Sequence, residues 1–308
     1  MATAAAARGT KVVGVNLEKL LASPSAVMSD VLWLYLLPVD LPASAGDELL
    51  AVLKSAFPKA QIVNALPAHT LCCNRVLLSE RLLDRGVPVP ETLLTDSPDE
   101  ARKFVKQHGH AMLREIQAKG SGSGLLLFCD RDGTVAGEAR GRRYVVELDD
   151  AGGAGGRELS HGVLTVPPPF FVQRMITRVR RHGVLAPAPV LRAFVIDDHI
   201  PFWIESYREK VERPSDFILT ADSGALRRFV QVVSDEADKL ARRVAEVMGF
   251  RIGAVDLIRS DSGFVVLDVT TDGPARMMDR SFKDLPEFRA AFDLDRYTIE
   301  SLMEDLAV

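Results

Sequence analysis

The chain has 308 residues, of which 47% are apolar and 26% are charged, and its formal net charge is −4. These values are typical of a soluble globular protein that folds into two or three domains, and the acidic balance argues against nucleic acid as the main partner. The 38 basic residues comprise 28 arginines and 10 lysines, an excess that by itself indicates only a coding bias.

No segment of the sequence predicts a secreted or membrane protein. The longest clean apolar run, at 31–39, is far shorter than a membrane span, and the N-terminus lacks the apolar core of a signal peptide. We therefore expect a cytoplasmic protein, with a short presequence rich in Ala and Arg as the open alternative. The cysteines Cys72, Cys73 and Cys129 suit neither a disulfide framework nor a zinc site, and we expect them to serve packing rather than nucleophilic chemistry.

The first part of the chain predicts a small α/β unit with a parallel sheet, because short apolar strands alternate with a helical stretch. Strands are expected at 12–15, 31–37 and 61–63, and a helix at 47–57. Two further helices are expected at 71–85 and 97–108, the second beginning at a Ser-Pro pair.

The middle of the chain predicts short strands separated by loops. Strands at 111–116 and 125–129 enclose a Gly/Ser-rich loop at 120–124. Residues 138–162 are rich in Gly, Arg and Asp and predict a mobile loop, and residues 176–189 predict an irregular connection rich in Arg.

The last part predicts strands, one strongly amphipathic helix and a hairpin. The expected elements are strands at 170–175, 190–196 and 201–206, a helix at 234–248, a hairpin of 254–259 with 263–269, and a closing helix at 299–306.

The hairpin carries the sharpest chemical signal. Asp256 and Asp268 lie twelve residues apart on its two strands, and Thr270 projects from the same face as Asp268. Two carboxylates on paired strands can bind one Mg²⁺, which prefers oxygen ligands. A pair of aspartates facing solvent at strand ends is the commoner explanation of this pattern taken alone.

Two other features can bind anions. The loop of Gly120, Ser121, Gly122, Ser123 and Gly124 lets backbone N–H groups approach phosphates, although it is neither a P-loop nor a dinucleotide fingerprint. Taken alone, a flexible hairpin tip is the favoured explanation of this loop. A basic cluster is either a site for an anionic substrate or a solvated face; its members are Arg174, Arg178, Arg180, Arg181 and His182.

The order of these features resembles the ATP-grasp superfamily, particularly its RimK-like ligases and glutathione synthetases. Nine segments, spread over nearly the whole chain, carry the resemblance: VNALPA at 63–68, CNR at 73–75, LLDRGVPVPET at 82–92, LR at 113–114, GSGSG at 120–124, FVQRMI at 171–176, LRAFVI at 191–196, GAVDL at 253–257 and LDVT at 267–270.

The resemblance implies an α/β protein with an ATP-grasp fold of α+β lobes behind an N-terminal pre-ATP-grasp α/β domain. The expected divisions are 1–70 for that domain, 71–175 for the small lobe with the phosphate loop, and 176–308 for the large lobe with the metal site. It also implies an ATP- and Mg²⁺-dependent ligase, a divergent member, that joins a small-molecule or peptide carboxylate to an amine through an acylphosphate. Relatives of this kind often form homo-oligomers.

The resemblance assigns roles residue by residue. Arg75 and Arg114 replace two phosphate-binding lysines, and residues 120–124 cover the γ-phosphate. The backbone around Gln173, Arg174, Met175 and Ile176 binds adenine. Arg192 and Arg208 stabilise the transferred phosphate or the substrate carboxylate. Asp256, Asp268 and Thr270 bind the metal, with Asp268 and Thr270 standing where Glu and Asn are usual.

Two alternatives stay open at this point. The Asp at position 268 and the basic cluster also suit an inositol-polyphosphate kinase of the same superfamily. Ile218 and Thr220 stand where an Arg-Asn pair is often found, which favours a degenerate, non-catalytic nucleotide-binding scaffold.

Overall fold

A computed structural model describes residues 31–33, 43–64, 66–116, 125–129, 135–139, 142–148, 157–159, 162–176, 178–181, 184–207 and 226–271. Within these residues the chain forms five helices and four sheets. None of the described helices is both long and apolar enough to cross a membrane. The strand predicted at 12–15 and the helix predicted at 299–306 lie outside this part of the chain.

The N-terminal unit pairs strands β1 (Val31–Trp33) and β2 (Gln61–Val63) in parallel, with helix α1 (Ala43–Ala56) between them in sequence. The parallel pairing confirms the expectation from the strand–helix–strand order. Helix α1 begins several residues before the predicted start, and Leu53 on its inner face is fully buried.

The helix predicted at 71–85 is wrong in its bounds, because two helices meet there: α2 (Leu66–Cys73) and α3 (Arg75–Asp84). The break falls at Asn74, whose backbone is extended and whose side-chain oxygen accepts hydrogen bonds from the N–H groups of Val76 and Leu77. Asparagine is a strong helix N-cap, so it begins a new helix in the middle of an otherwise continuous apolar pattern.

An eight-stranded sheet follows, in the order β3-β10-β4-β5-β6-β7-β9-β8. Its strands are β3 (Thr92–Thr95), β4 (His110–Arg114), β5 (Leu125–Cys129), β6 (Val135–Ala139), β7 (Arg142–Leu148), β8 (Arg157–Leu159), β9 (Val163–Val166) and β10 (Phe170–Arg174). Helix α4 (Pro98–His108), capped by Ser97, packs its buried Phe104 and Val105 on this sheet.

Two stretches predicted to be irregular contain strands. The expected mobile loop at 138–162 includes β8 and also β7, whose Tyr144, Val146 and Leu148 alternate toward the core of the sheet. The Gly-rich centre of that stretch, 151–156, lies outside the described residues. The expected irregular connection at 176–189 contains an antiparallel pair, β11 (Arg178–Arg181) and β12 (Val184–Pro187). The two predictions were therefore wrong where these strands lie, because the arginines in β7, β8 and β11 obscure the apolar pattern of each strand.

A five-stranded antiparallel sheet completes the described fold, in the order β15-β14-β13-β16-β17. Its strands are β13 (Val190–Ile196), β14 (His199–Tyr207), β15 (Leu226–Val230), β16 (Ile252–Ser260) and β17 (Gly263–Thr270). Helix α5 (Asp235–Met248), capped by Ser234, shares one buried apolar core with this sheet and with α2 and α3.

Asn64 ties the N-terminal unit to the five-stranded sheet. Its side-chain amide donates to the carbonyls of Ile252 (2.6 Å) and Thr271 (3.0 Å), and its oxygen accepts from the N–H groups of Arg251 and Ile252 (2.9 Å each). The side chain is buried and makes four hydrogen bonds to backbone groups, so it fixes the open end of the β16–β17 pair, where β16 begins and β17 finishes.

Candidate functional site

Three charged residues form a row across the five-stranded sheet. Arg192 on β13 lies opposite Asp256 on β16, which in turn lies opposite Asp268 on β17. Two guanidinium nitrogens of Arg192, Nε and Nη2, donate to the two oxygens of Asp256 at 2.5 Å each. This two-point geometry fixes both the position and the plane of the Asp256 carboxylate.

A β-bulge brings the two aspartates to the same face. From the turn upward, Ser260 pairs with Gly263 and Leu257 with Val266, and this register would place Asp256 opposite Leu267. The register instead shifts by one residue, Leu267 is left over, and Asp256 pairs with Asp268. Without the extra residue Asp268 would point to the other side of the sheet.

Arg114 brings the eight-stranded sheet to this row. Its Nη2 donates to Asp268 Oδ2 at 2.7 Å, and its Nη1 donates to Gln173 Oε1 (3.1 Å) and to the carbonyl of Leu267 (3.2 Å). The carbonyl of the bulge residue is therefore one of its acceptors. One guanidinium thus joins strands β4 and β10 of one sheet to strand β17 of the other.

Arg75, the first residue of α3, is a neighbour of Arg114 and is only 2% exposed. Its Nη1 donates to the carbonyl of Glu115 (2.7 Å), and its Nη2 lies 3.9 Å from Asp268 Oδ2. The Nε atom is buried and has no hydrogen-bond partner among the described residues. A buried guanidinium with an unused donor is well suited to an anionic ligand.

The local electrostatics favour an anion. Burial lowers the pKa of Arg75, and the nearby positive charge of Arg114 lowers it further. Burial acts to raise the pKa of Asp268, but the charges of Arg114 and Arg75 outweigh it, so this pKa lies below its usual value. Asp268 is therefore ionised at neutral pH. Three guanidinium groups lie around the carboxylates of Asp256 and Asp268, and the exposed carboxylate of Glu115 also acts on Arg75.

The segment after β10 crosses from one sheet to the other. Met175 packs against Phe128 and Ala136 of the eight-stranded sheet, whereas Ile176 packs against a cluster that includes Ile258 of the five-stranded sheet. Apolar surfaces of both sheets therefore meet at adjacent positions of one segment.

The backbone of this segment is partly engaged within the chain. The Arg174 N–H donates to the carbonyl of Glu91 (2.8 Å), and the Met175 N–H donates to that of His110 (3.2 Å). The Arg174 side chain is exposed, and that of Gln173 is buried and turned to Arg114.

Comparison with known proteins found no matching family model and no matching curated protein. Solved structures do match. The RimK domain protein ATP-grasp from Sphaerobacter thermophilus DSM 20745 superposes with a TM-score of 0.55 at 19% identity, over 91% of this chain and 88% of that one. D-alanine–D-alanine ligase from Bacillus anthracis superposes with a TM-score of 0.57 at 10% identity, over 96% and 85% of the two chains.

The ATP-grasp ligase PsnB, complexed with a phosphomimetic variant of its minimal precursor, Mg and ADP, superposes with a TM-score of 0.51 at 18% identity, over 85% of this chain and 67% of PsnB. These three structures share one architecture with this chain. The chain has the ATP-grasp fold. This confirms the fold expected from the sequence, a mixed α/β protein.

The donor set suits the Mg²⁺ that ATP-grasp proteins are expected to use. Asp256 and Asp268 are adjacent, and Oγ1 of Thr270 is buried without a hydrogen-bond partner among the residues that the structure describes. All three are oxygen donors, and Mg²⁺ commonly takes one or two carboxylates and completes its shell with phosphate and water. No cluster of three or more His, Cys, Asp or Glu occurs in the described ranges, so the protein would supply a minimal set.

The other predicted site residues divide into two groups. Arg208, residues 120–124, and Ile218 with Thr220 lie outside the described residues. Arg178, Arg180 and Arg181 are on β11, of which only the backbone is described. Sequence reasoning missed the carbonyls of Glu115 and Leu267, since no side-chain pattern marks a backbone acceptor.

Proposed function

We propose that the protein is an ATP- and Mg²⁺-dependent carboxylate–amine ligase that forms an amide or peptide bond through an acylphosphate. The observation that carries the proposal is the group formed by Arg75, Arg114, Arg192, Asp256 and Asp268, which lies where the two sheets of an ATP-grasp fold meet. Its three guanidinium groups and its paired carboxylates suit a nucleotide phosphate chain together with a divalent cation.

Arg75 and Arg114 would bind the phosphates. Each presents a guanidinium, which can contact phosphate oxygens at two points. Arg75 is held by the carbonyl of Glu115, which directly precedes the segment that contains residues 120–124. A Gly/Ser-rich loop in that segment would add backbone donors to the same phosphates.

Adenine would lie against the segment that contains Met175 and Ile176, because apolar side chains of both sheets meet there. Since the N–H groups of Arg174 and Met175 donate within the chain, we assign base recognition to the N–H of Ile176 and to the carbonyls of this segment.

Asp256, Asp268 and Thr270 would hold Mg²⁺, which neutralises charge on phosphate when bound. In this structure Arg192 is hydrogen-bonded to Asp256, and Arg114 to Asp268. In the proposed cycle these arginines exchange their carboxylate partners for phosphate or for the substrate carboxylate. Arg192 and Arg208 would then orient the substrate carboxylate and stabilise the negative charge of the phosphate that is transferred to it.

We infer a small-molecule or peptide carboxylate and an amine as substrates. The ligase PsnB was solved with a phosphomimetic variant of a minimal precursor, and the B. anthracis protein is a D-alanine–D-alanine ligase, which supports substrates of this kind. The guanidinium groups of Arg192 and its neighbours favour an anionic acceptor.

Nucleotide binding is tested by the thermal unfolding midpoint with and without Mg-ATP. A ligand at about 100 times its dissociation constant stabilises the folded state by about 2.7 kcal/mol if it binds only that state. Asp256→Asn should lose most of this gain. Asp197→Asn is the matched control, because Asp197 pairs with Arg251 at the far end of the same sheet. This variant should keep the rise in unfolding midpoint that Mg-ATP causes.

Ligase activity is tested by ADP release from Mg-ATP with pools of carboxylates and amines. The proposal requires ADP release that depends on both substrates and is lost in Asp256→Asn. Nucleotide binding with no ADP release from amino-acid or peptide pools would contradict the ligase assignment.

One observation favours a second candidate, a scaffold that binds partners without catalysis. Asp256 and Asp268, the two candidate metal carboxylates, are already paired with arginines, so the fold needs no cation to keep them ionised. A scaffold that has lost nucleotide binding predicts no thermal shift at millimolar Mg-ATP, and one that keeps it predicts a shift without ADP release. The two experiments together therefore separate the candidates.

A further inference from the structure

A thiol, an imidazole and a hydroxyl are linked by two successive side-chain contacts beside the candidate site. Cys73 Sγ is 3.4 Å from Nε2 of His69, and Nδ1 of the same ring is 3.0 Å from Oγ1 of Thr271. Cys73 and His69 are four residues apart on α2, which places their side chains on one helical face. Thr271 directly follows β17, so the three groups come from two separate parts of the chain.

One tautomer of His69 lets its imidazole act as a base toward Cys73. If Nδ1–H donates to the Thr271 hydroxyl, Nε2 is left as an acceptor that faces the thiol of Cys73. A nucleophile beside a base that a third group orients is the usual arrangement for activating a thiol. His69 is buried, and the contact with Thr271 holds its ring in one orientation.

The two adjacent cysteines differ in access. Cys72 is buried within the core shared by α2, α3, α5 and the five-stranded sheet, which agrees with its expected packing role. Cys73 is only partly buried and contacts His69, which packing alone does not require. A partly exposed thiol beside a histidine is the environment typical of a reactive cysteine.

We propose that Cys73 is a reactive thiol, activated by His69 with Thr271 as the orienting group, and that it is a modification site for peroxides and other soft electrophiles. His69 accepts the thiol proton. The thiolate sulfur then attacks one peroxide oxygen, the O–O bond breaks, and the departing oxygen takes the proton from His69 and leaves as water. The sulfur is oxidised to a sulfenic acid by two electrons, and the peroxide is reduced.

The test measures the alkylation rate of each cysteine in the full chain at pH 6 by peptide mass spectrometry with iodoacetamide. The same chain unfolded in denaturant gives the reference rate. An ordinary thiol with a pKa of about 8.5 is roughly 0.3% thiolate at this pH, so an activated one should react about tenfold faster or more. Cys73 in the folded chain should exceed its unfolded rate by this factor, and Cys72 should react far more slowly.

Two variants assign the activation to the proposed groups. His69→Asn should return the Cys73 rate to the unfolded value or below it, and Thr271→Val should lower it by a smaller factor. The rate of Cys72 reports on folding in the same sample: it rises if a variant merely loosens α2, whereas loss of activation lowers the rate of Cys73 and leaves Cys72 slow. Treatment with hydrogen peroxide should oxidise Cys73 before Cys72.

The proposal is overturned if folded Cys73 reacts no faster than in the unfolded chain. It is also overturned if His69→Asn, with Cys72 still slow, leaves the rate of Cys73 unchanged, or if peroxide oxidises Cys72 first. These outcomes do not depend on nucleotide binding, so they stand apart from the proposed ligase activity.

Discussion

Arg114 donates a hydrogen bond to Asp268 at 2.7 Å, although the two residues belong to different sheets. The same guanidinium also contacts Gln173 and the carbonyl of Leu267. Asp268 is a candidate metal ligand and Arg114 a candidate phosphate ligand. The two side chains that join the sheets are therefore also the ones that would bind a Mg-nucleotide. The proposed roles would therefore couple ligand binding to the joining of the two sheets.

The first prediction concerns the chemistry of position 114. Arg114→Ala should weaken Mg-ATP binding roughly tenfold to hundredfold, because a hydrogen bond to a charged group contributes about 1.5–3 kcal/mol. Arg114→Lys should lose less, since it keeps the charge. It should still bind less tightly than the parent protein, because one ammonium replaces two guanidinium nitrogens that serve three acceptors. Titration calorimetry measures the Mg-ATP affinity of the parent protein and of the two variants.

Arg102→Ala is the control for this series. Arg102 lies on α4 and donates to the carbonyl of Leu148 (2.9 Å) and to Asp99 (2.8 Å), away from the candidate site. Its loss should leave the affinity for Mg-ATP unchanged. If Arg114→Ala binds as well as Arg102→Ala, Arg114 does not contact the nucleotide.

The second prediction follows from the lowered pKa of Asp268. The pKa of Asp268 is lower in the folded state than in the unfolded state, where an Asp has a pKa of about 3.9. Such a carboxyl stabilises the fold at pH values above the unfolded pKa. This contribution is lost as the pH falls through the pKa of the folded state. The free energy of unfolding, measured with urea in EDTA, should therefore decline more steeply with acid in the parent protein than in Asp268→Asn. The difference should develop below about pH 5.

Asp99→Asn serves as the comparison in acid. Asp99 is 93% exposed, and its ion pair with Arg102 is screened by solvent, so its removal should leave the pH dependence close to that of the parent protein. Parallel curves for the parent protein and Asp268→Asn would contradict the ion pairs described for Asp268.

The sequence predicts most of the strands around the site, but not the contacts within it. Strands β13, β16 and β17 are continuous in apolar residues, so their existence follows from composition. The pairing of Asp256 with Asp268 does not. A two-residue turn after Ser260 would place Asp256 opposite Leu267, and only the bulge at Leu267 corrects this register. Bulges depend on tertiary contacts, such as the one from Arg114 to the carbonyl of Leu267.

Asn74 illustrates a different limit. Its role as an N-cap is a local property of asparagine, yet the apolar spacing on both sides predicts one helix. The contact of His69 with Thr271 spans 202 residues of sequence, and no local pattern indicates it. The division of the chain into 1–70, 71–175 and 176–308 stays a prediction.

The third prediction concerns Asn64. Asn64→Ala should lower the free energy of unfolding by about 3 kcal/mol or more, because it leaves buried backbone groups of Ile252, Thr271 and Arg251 without their partner. Asn74→Ala is the matched control. It removes only an N-cap and should cost about 1 kcal/mol. Urea unfolding of both variants measures the difference, and equal costs would show that Asn64 is not a structural tie.

The last prediction tests how closely strands β16 and β17 must approach beside the site. A methyl group added at Gly253 would lie 2.6 Å from the carbonyl oxygen of Thr270 and 2.7 Å from the ring of Phe250. The carbonyl belongs to the backbone of β17, so it can yield only if the strand moves, and Asp268 moves with it. Gly253→Ala should therefore cost about 1–3 kcal/mol in unfolding free energy and also weaken Mg-ATP binding.

Gly137→Ala separates the two effects. A methyl group at Gly137, in the eight-stranded sheet, would lie 2.6 Å from Val146 Cγ2 and 3.0 Å from Leu125 Cδ1, which are ends of side chains. This variant should be destabilised by a similar or smaller amount and should keep the affinity of the parent protein. If both variants bind Mg-ATP equally at a temperature where both are folded, the spacing of β16 and β17 at Gly253 has no influence on the site. A loss confined to Gly253→Ala instead shows that binding depends on where Asp268 lies relative to Asp256.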